Sequence, residues 1–316
     1  MKHNAKKKTI LITGAGGFLG GELIRQLSHR GDITVYALTS TKEKVTTLHK
    51  ETKNLLVFSF KEWGDQSIPL HNVNAVIHCA FSRSAEGSSL AKSLEFTNDV
   101  LNQSCKAGIA SFINISSEGV YGSAKGVWEE STPPEPESLY GMAKLATEIV
   151  MKQAKKNSFN KIITTSLRLS SLVGAGMDAG KKNHAVNIIS TFVSNALKGK
   201  PIQVIGGQQL FSYMDVRDAA DGIIALSDLD PSERKEIYNL GTAIRASILE
   251  VAQVVKDIAS KYVEAPVHID VEKKDINMVK VMDSSSFYRV TGWRPQYGIK
   301  DIADNIFSHE VKNSKT

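Results

Sequence analysis

Tyr140 and Lys144 are the first two residues whose types and spacing are suited to proton chemistry. On a helix, residues four apart share one face, so the phenol and the ammonium would lie side by side. A free tyrosine has a pKa near 10. A phenolate base at neutral pH therefore needs that pKa lowered by about 3, equivalent to about 4 kcal/mol, and a nearby cation contributes to this. The pair predicts a group that takes or gives a proton.

A second pair, Tyr121 and Lys125, has the same spacing. Tyr121 stands between glycines in a predicted loop, whereas Tyr140 leads into residues 143–151, which are good helix formers with an apolar stripe. Only the Tyr140 pair is therefore expected to lie on a helix.

A hydroxyl group is expected near this pair, because the predicted strand 112–115 runs directly into Ser116 and Ser117. In an open α/β sheet, ligands bind beyond the carboxyl ends of the strands. Ser117 is placed to donate a hydrogen bond to a carbonyl or alkoxide oxygen. The alternative is that both serines only cap the end of the strand.

The element that would bring a ligand to these residues is a glycine-rich turn over residues 13–20. It follows the apolar run 9–12 and opens a helical pattern over 21–27, so it reads as strand, turn and helix. Such a turn lets the backbone approach a diphosphate, whose charge is stabilised at the helix N-terminus. We therefore expect a dinucleotide to bind here; the alternative is a turn that glycine merely makes compact. The expected contact residues are Gly14, Gly17, Phe18, Leu19 and Gly20.

The pattern of apolar runs predicts an α/β fold with a doubly wound parallel sheet. Helical patterns separate the strand-like runs, as in consecutive βαβ units. The runs after the first are 33–38, 55–60, 75–79, 112–115 and 162–167. After residue 173 this rhythm changes to a glycine-rich loop over 174–183 and an apolar helix face over 186–197. Ser247 and Glu250 have capping-box spacing, and the apolar stripe that follows continues to Tyr262. These later segments predict a second, smaller lobe.

Composition excludes several classes of partner. The formal net charge is +6, but four lysines among the first eight residues leave about +2 for the rest, which is not the footprint of a nucleic-acid-binding protein. No apolar stretch is long enough for a membrane span, and we expect a cytoplasmic protein. Cys79 and Cys105 are too few for a disulfide framework or a zinc site, and His78 and His184 lack metal-ligand spacing, so no metal is expected.

Taken together, the ordered motifs resemble the extended short-chain dehydrogenase/reductases, in particular the NAD-dependent epimerase/dehydratase family. The matching segments are Thr13-Gly14 with Gly17 and Gly20, residues 76–80, Asn98, residues 116–122, Tyr140 with Lys144, and residues 167–169, 238–241 and 291–295. The resemblance implies a Rossmann-type lobe over 1–173 plus 212–245 and a C-terminal α/β substrate lobe over 174–211 plus 246–316. It also implies a homodimer formed through the helix that bears Tyr140 and its neighbour.

The resemblance assigns roles to the residues of the site. Ser117 polarises the substrate oxygen, Tyr140 is the acid and base, and Lys144 also holds the nicotinamide ribose. Ala80 and Asn98 join the cofactor contacts.

The identity of the nicotinamide cofactor is read from the end of the second strand. NAD enzymes usually carry an acidic residue there. This chain has Thr39, Ser40 and Lys42 instead, and hydroxyls with a cation suit a 2′-phosphate, so NADP is favoured over NAD. The alternative is that Lys42 only begins a solvated helix.

The resemblance implies a nucleotide-activated sugar as substrate, with Arg83, Ser117, Glu118, Asn187 and Phe211 as the candidate contacts. Arg83 could hold a phosphate, and Asn187 matches a sugar-nucleotide position. Phe211 replaces an arginine common in these enzymes, and Glu118 is followed by Gly119 where dehydratases have a second carboxylate, which disfavours elimination of water. A 4-epimerase or a 4-ketoreductase is expected.

Two alternatives stay open. The first is an NADP-dependent reductase of a non-nucleotide ketone or aldehyde. Phe211 and Ser171 favour it, because they replace an arginine and an asparagine of the nucleotide-sugar enzymes and so suit a more apolar substrate. The second is a regulator that senses NADP without chemistry, although such a protein has no need of a serine, a tyrosine and a lysine together.

Overall fold

The structure is a computed structural model that describes residues 7–84, 86–157, 161–176, 188–242, 245–276 and 278–314. Contacts divide the chain into two compact units. The first unit consists of residues 1–122, 134–168 and 220–238, and the second of residues 123–133, 169–219 and 239–316. These limits differ in detail from the lobes expected from sequence, and the assignment of cofactor to one lobe and substrate to the other stays a prediction.

The strands are numbered in chain order. They are β1 Lys8–Thr13, β2 Ile33–Thr39, β3 Leu55–Ser59, β4 Ala75–His78, β5 Ser111–Ser117, β6 Ile163–Leu169, β7 Ser171–Val173, β8 Ile202–Ile205, β9 Leu210–Asp215, β10 Ile237–Leu240, β11 Arg245–Ser247, β12 Ile269–Glu272 and β13 Val279–Lys280.

The α-helices follow the same numbering. They are α1 Phe18–Leu27, α2 Lys42–Leu48, α3 Phe60–Gly64, α4 Gly87–Lys106, α5 Leu139–Asn157, α6 Ile188–Leu197, α7 Val216–Asp228, α8 Ile248–Ala259, α9 Ser285–Thr291 and α10 Ile299–Asn313.

A seven-stranded sheet in the order β10-β6-β5-β4-β1-β2-β3 forms the centre of the first unit. The strands from β3 to β5 pair in parallel, with Ile10 opposite both Val35 and Ala75. Helices cover both faces, and residues 10–12 are accordingly fully buried on both sides of the strand. The predicted α/β class with a doubly wound, Rossmann-type parallel sheet is confirmed.

The strand that leads to the site is longer than predicted. Strand β5 covers Ser111–Ser117 rather than residues 112–115, so Ser117 is its last residue and not part of a following loop. Strand β5 lies next to β4, and the carboxyl ends of β1, β4 and β5 form one edge of the sheet.

The second unit contains a sheet in which β9 pairs with β7, β11 and β13, and a separate parallel pair of β8 with β12. Helices α6, α8 and α10 pack on a core that includes Phe192, Val255 and Phe307. The predicted capping box is present: Ser247 Oγ accepts from Glu250 N at 3.2 Å, and Glu250 Oε2 accepts from Ser247 N at 2.7 Å.

Helix α8 ends earlier than the apolar stripe predicted. It stops at Ala259, and Tyr262 lies in a turn in which its N–H donates to Ala259 O. The stripe continues because the Tyr262 ring stacks on Phe307, with 5.0 Å between the ring centroids. Tertiary packing rather than helix geometry therefore explains the last apolar position.

Within the described ranges, no helix combines the length and hydropathy needed to cross a bilayer. Across those same ranges, no group of three or more His, Cys, Asp or Glu side chains is placed to hold a metal ion. Most of the predicted loop 174–183, together with His184 and Asn187, lies outside the described residues.

Candidate active site

The glycine turn packs so closely against β4 that side chains are excluded from it. Gly14 has a φ of +67°, and a Cβ built on it would lie 2.7 Å from Ala80 N. A Cβ on Gly20 would lie 2.3 Å from Gly14 O. The backbone therefore needs glycine at both positions, and Ala80 is brought directly against the turn.

The N-terminus of α1 opens at this turn. The helix begins at Phe18, its N-cap Gly17 provides no side-chain acceptor, and Gly16 and Gly17 are exposed, whereas Leu19 is buried. The first N–H groups of a helix lack intrahelical partners and favour an anion. A narrow glycine cradle with exposed donors fits the diphosphate of a dinucleotide, which Gly14, Gly17, Phe18, Leu19 and Gly20 would hold.

His78 is a structural residue behind the turn. Its Nδ1 lies 2.8 Å from Thr13 Oγ1 and its Nε2 lies 2.9 Å from Thr97 Oγ1. Burial lowers the pKa of His78 to about 3, so the ring stays neutral and ties β1, β4 and α4 together. Asn98 follows Thr97 on α4 and is exposed.

The end of β2 presents hydroxyl groups to the same turn. Thr39 Oγ1 lies 3.2 Å from Thr41 Oγ1, and a Cβ on Gly16 would lie within 2.7 Å of both. Ser40 is exposed beside them. Thr41 was not among the residues predicted from sequence, although it stands one residue after the predicted pair Thr39 and Ser40.

Lys42 does not present a free charge at this position. Its Nζ donates to both carboxylate oxygens of Glu62, each at 2.9 Å. The Lys42 hydrogen bonds hold the pKa of Glu62 down at about 2, so this carboxylate is charged at neutral pH. Lys42 is thus already paired with a carboxylate, and its expected role toward a 2′-phosphate stays a prediction. Glu62 could have been found from sequence, because Ser59 and Glu62 have capping-box spacing.

Ser117 and Tyr140 are brought together at the carboxyl end of β5. The Ser117 side chain is close enough to Tyr140 to act on its pKa, and Ser117 Oγ accepts from Gly119 N at 3.1 Å. Tyr140 is the second residue of α5, and the Phe81 ring meets it edge-on with 6.1 Å between centroids. The helix expected for the Tyr140 pair is present, whereas Tyr121 follows a short 3-10 turn.

The pKa of Tyr140 moves opposite to the sequence expectation. Burial raises it above the ordinary value, and Glu118 raises it further, while Arg83 and the Ser117 hydrogen bond act to lower it. Lys144 Nζ donates to Ile115 O at 2.7 Å and lies 5.8 Å from the centre of the Tyr140 ring. Tyr140 is therefore a protonated phenol, able to donate.

Lys144 is almost completely buried, with 4% of its surface exposed. Its Nζ lies 4.0 Å from the centre of the Phe81 ring, a cation–π distance. Burial lowers the pKa of Lys144 to about 7, and Glu148 acts in the opposite direction. The site thus holds an ammonium whose charge depends on pH near neutrality.

A buried ion pair beneath the site was missed from sequence. Glu148 accepts from Arg168 at 3.0 and 2.7 Å and from Ser116 Oγ at 2.6 Å. The Arg168 guanidinium also lies 4.8 Å from the centre of the Tyr121 ring. The pair fixes α5 against β5 and β6; the sequence signals were that Glu148 stands one helical turn after Lys144 and that Arg168 lies in the matching segment 167–169, but neither linked the two residues.

The candidate substrate residues are placed as follows. Arg83 is exposed, yet its charge acts on both Tyr140 and Lys144, and Glu118 is half-buried near Tyr140. Phe211 lies on β9 in the second unit, where its half-buried ring packs on the hydrophobic core. Asn187 lies outside the described residues. The substrate roles of all four stay predictions.

The chain is similar to known proteins over nearly its whole length. Residues 10–241 match the family model described as the NAD dependent epimerase/dehydratase family. The chain is 26% identical to UDP-glucose 4-epimerase of Erwinia amylovora, covering 96% of this chain and 98% of that protein. It is 24% identical to dTDP-4-dehydro-6-deoxyglucose reductase of Escherichia coli, over 96% and 98% of the two chains.

Among solved structures, UDP-glucose 4-epimerase of Thermotoga maritima with UDP-glucose superposes with a TM-score of 0.80 at 22% identity, covering 97% of this chain and 99% of that one. At this level of identity the likeness shows the fold. The family model, however, covers well over half of the chain, including the glycine turn, Ser117, Tyr140 and Lys144. The chain therefore belongs to the NAD-dependent epimerase/dehydratase family of the extended short-chain dehydrogenase/reductases.

Proposed function

We propose that this enzyme is a nucleotide-sugar 4-epimerase that uses a Ser117–Tyr140–Lys144 site. The observation that carries the proposal is the meeting of Ser117 and the buried Tyr140 phenol at the carboxyl edge of the sheet, with the buried Lys144 ammonium one helical turn further on. Ser117 caps the next turn through Gly119 N, and its side chain also acts on the Tyr140 phenol, which a purely capping role does not require.

Proton transfer is the part of the reaction that these residues perform. Tyr140, held protonated by burial, donates its proton to the oxygen of a keto carbon during reduction and takes it back from the hydroxyl during oxidation. Ser117 donates to the same oxygen and orients it. The nicotinamide, when bound, supplies the hydride acceptor and donor. Lys144 contributes positive charge and would hold the nicotinamide ribose.

NAD fits the described residues better than NADP, which reverses the preference drawn from the sequence. The Lys42–Glu62 ion pair places a carboxylate beside the only cation considered for the 2′-phosphate, and Thr39 and Thr41 leave neutral hydroxyls against the glycine turn. An anion approaching Lys42 must share it with the Glu62 carboxylate, which repels it, whereas a neutral ribose hydroxyl meets no such repulsion.

The substrate assignment is supported by the relatives and by one charge in the site. The relatives that cover most of the chain include UDP-glucose 4-epimerases, so we infer a UDP- or dTDP-activated hexose. The exposed Arg83 guanidinium acts on Tyr140 and stands where it can attract an anionic substrate.

A 4-ketoreductase is the second candidate. The reductase of Escherichia coli matches as much of the chain as the epimerase of Erwinia amylovora does. Such an enzyme consumes one reduced nicotinamide per turnover, whereas a 4-epimerase ends each turnover with its cofactor unchanged.

The test incubates the purified chain with UDP-glucose, UDP-galactose, dTDP-glucose and the corresponding 4-keto sugar, with and without NADH or NADPH. We expect interconversion of 4-epimers with catalytic NAD and no net consumption of reductant. Tyr140→Phe should lower turnover about 10²–10⁴-fold while NAD still raises the melting temperature.

Tyr262→Phe, which removes a phenol hydroxyl in the second unit, is the control and should keep its activity. Unchanged turnover in Tyr140→Phe contradicts the catalytic assignment. Stoichiometric oxidation of reductant with the 4-keto sugar selects the ketoreductase instead.

A further inference from the structure

A cavity lies at the edge of the central sheet opposite the glycine turn. Its volume is about 290 Å³, and its wall includes Lys7, Lys8, Asn74, Ser111 and Arg234. Lys8 begins β1 and Ser111 begins β5, so the cavity is at the amino ends of the parallel strands. The Ser117–Tyr140 site lies at the carboxyl ends and does not use any of these residues.

Arg234 is the buried cation of this cavity, with 8% of its surface exposed. Its guanidinium donates to Ser111 Oγ at 2.7 Å, to Ser227 O at 3.1 Å and to Leu229 O. Its Nε–H is buried and has no hydrogen-bond partner among the described residues. A buried, unpaired donor on a charged group is costly unless something accepts from it.

Further donors line the same cavity. Lys8 Nζ donates to Ser227 O, which leaves it two more N–H bonds. Asn74 Oδ1 accepts from Thr9 N at 2.8 Å, so its amide NH₂ points away from that contact and stays available. Lys7 is exposed at the rim.

The positive charge of the cavity is not fully compensated by its neighbours. Asp32 and Asp228 are both bound by Arg30, at 2.7 and 2.9 Å, and Asp230 is held by Ser232. Burial lowers the pKa of Lys8, and Asp228 acts in the opposite direction. Burial lowers the pKa of Arg234 to about 10, and Asp230 and Asp228 act against this shift. Since these carboxylates are shared with Arg30 and Ser232, they neutralise the two cations only in part, and an anion in the cavity would complete the neutralisation.

We propose that this cavity is a binding site for a phosphate group, either the free anion or the monoester of a small metabolite. Lys8, Lys7 and Asn74 would donate to its oxygens, and the buried Arg234 guanidinium would add positive charge behind them. A volume of about 290 Å³ is sufficient for a phosphate monoester. Capping the C-terminus of α7 accounts for the bonds of Arg234 to backbone carbonyls and one donor of Lys8, but the other N–H bonds of Lys8 and the NH₂ of Asn74 take no part in it.

The test is calorimetric titration of the full chain with inorganic phosphate and, separately, glycerol 3-phosphate, at constant ionic strength set by chloride. Asn74→Asp keeps the acceptor for Thr9 N but replaces the donor NH₂ with a carboxylate oxygen. Asn72→Asp is the matched control, because it adds the same charge at an exposed residue nearby that does not line the cavity.

We expect Asn74→Asp to weaken phosphate binding at least tenfold and Asn72→Asp less than twofold. The glycine turn is identical in both variants, so any phosphate that binds there adds the same heat to both titrations. Lys7→Gln, an exposed substitution that does not threaten folding, should weaken binding at least threefold. Tighter binding of inorganic phosphate identifies the ligand as the free anion, and tighter binding of glycerol 3-phosphate identifies it as a monoester. Equal binding in all variants, or heat that chloride reproduces, overturns the proposal.

Discussion

Lys144 carries its ammonium group into a position from which water is nearly excluded, and burying this charge lowers the stability of the fold. Its pKa falls from 10.5 to about 7 because burial disfavours the charge. In the unfolded chain the same lysine keeps its proton up to about pH 10. Below pH 7 the charged form must be buried on folding, at a cost on the order of 5 kcal/mol.

Lys144→Met should therefore stabilise the fold, and by more at low pH than at high pH. Between pH 7 and 10 the unfolded wild-type chain binds more protons than the folded one, so wild-type stability rises with pH and the advantage of the variant shrinks. Chemical denaturation at pH 6, 8 and 10 measures this difference. Lys152→Met, exposed on the same helix, should give a difference that does not change across this range; an equal pH trend in both variants contradicts the prediction.

Glu62 is the second residue whose effect can be tested by one substitution, here its effect on the preference between NAD and NADP. Glu62→Gln retains a capping-box acceptor for Ser59 but removes the charge that occupies Lys42. The lysine then becomes available to a 2′-phosphate, and the ratio of the Kd for NADP to that for NAD should fall about tenfold. Titration of both cofactors measures the ratio. The double variant Glu62→Gln with Lys42→Met should lose the gain, and a ratio that stays constant excludes Lys42 from the adenosine pocket.

At the scale of elements, the sequence predicts what depends on local pattern and misses what depends on distant contact. The strands of the parallel sheet, the glycine turn and the α8 capping box follow from apolar periodicity and cap spacing. Strands β7, β11 and β13 have only two or three residues each, too few for any alternation to show. These short segments form strands because their backbones pair with β9 through hydrogen bonds.

The residues of the candidate site show the same difference between what local pattern predicts and what depends on distant contact. Ser117, Tyr140 and Lys144 can be read from a strand end and a helical spacing. The Glu148–Arg168 pair and the Lys42–Glu62 pair join residues 20 apart in sequence, and nothing local links the members of either pair. The raised pKa of Tyr140 likewise depends on burial, which a spacing of four residues does not reveal.

The start of α1 provides a paired test of the glycine turn. Gly20→Ala should destabilise the fold by several kcal/mol and abolish NAD binding, because the new Cβ would lie 2.3 Å from Gly14 O. Gly21→Ala, one residue later, places its Cβ 4.0 Å from Ala15 O. That variant should be neutral or gain up to about 1 kcal/mol, since alanine favours a helix. Thermal unfolding with and without NAD measures both, and similar behaviour of the two variants contradicts the description of the turn.

At the scale of the whole molecule, α5 presents an apolar surface that supports the expected homodimer. Leu139, Met142 and Ile149 are 55%, 49% and 62% exposed, although the same helix bears Tyr140 and Lys144 on its other side. Large apolar side chains clustered on one exposed helix face are typical of an interface.

Ile149→Glu should convert a dimer to a monomer, because a charge would be placed in the apolar contact. Light scattering coupled to size-exclusion chromatography measures the mass of each form. Leu48→Glu, which alters an equally exposed leucine on α2, should leave the mass unchanged. A monomeric wild-type chain, or a dimeric Ile149→Glu variant, contradicts the assignment of this face.

The first unit is assembled from three separate stretches of chain, and β10, the outer strand that pairs with β6, begins at the end of the last of them. During synthesis on the ribosome, β6 must therefore wait with an open edge for about 70 further residues before its neighbour emerges. Truncation before residue 240 would leave that edge exposed to pairing with other chains. Neither unit is a contiguous segment, so cutting the gene at a single point cannot yield either one intact.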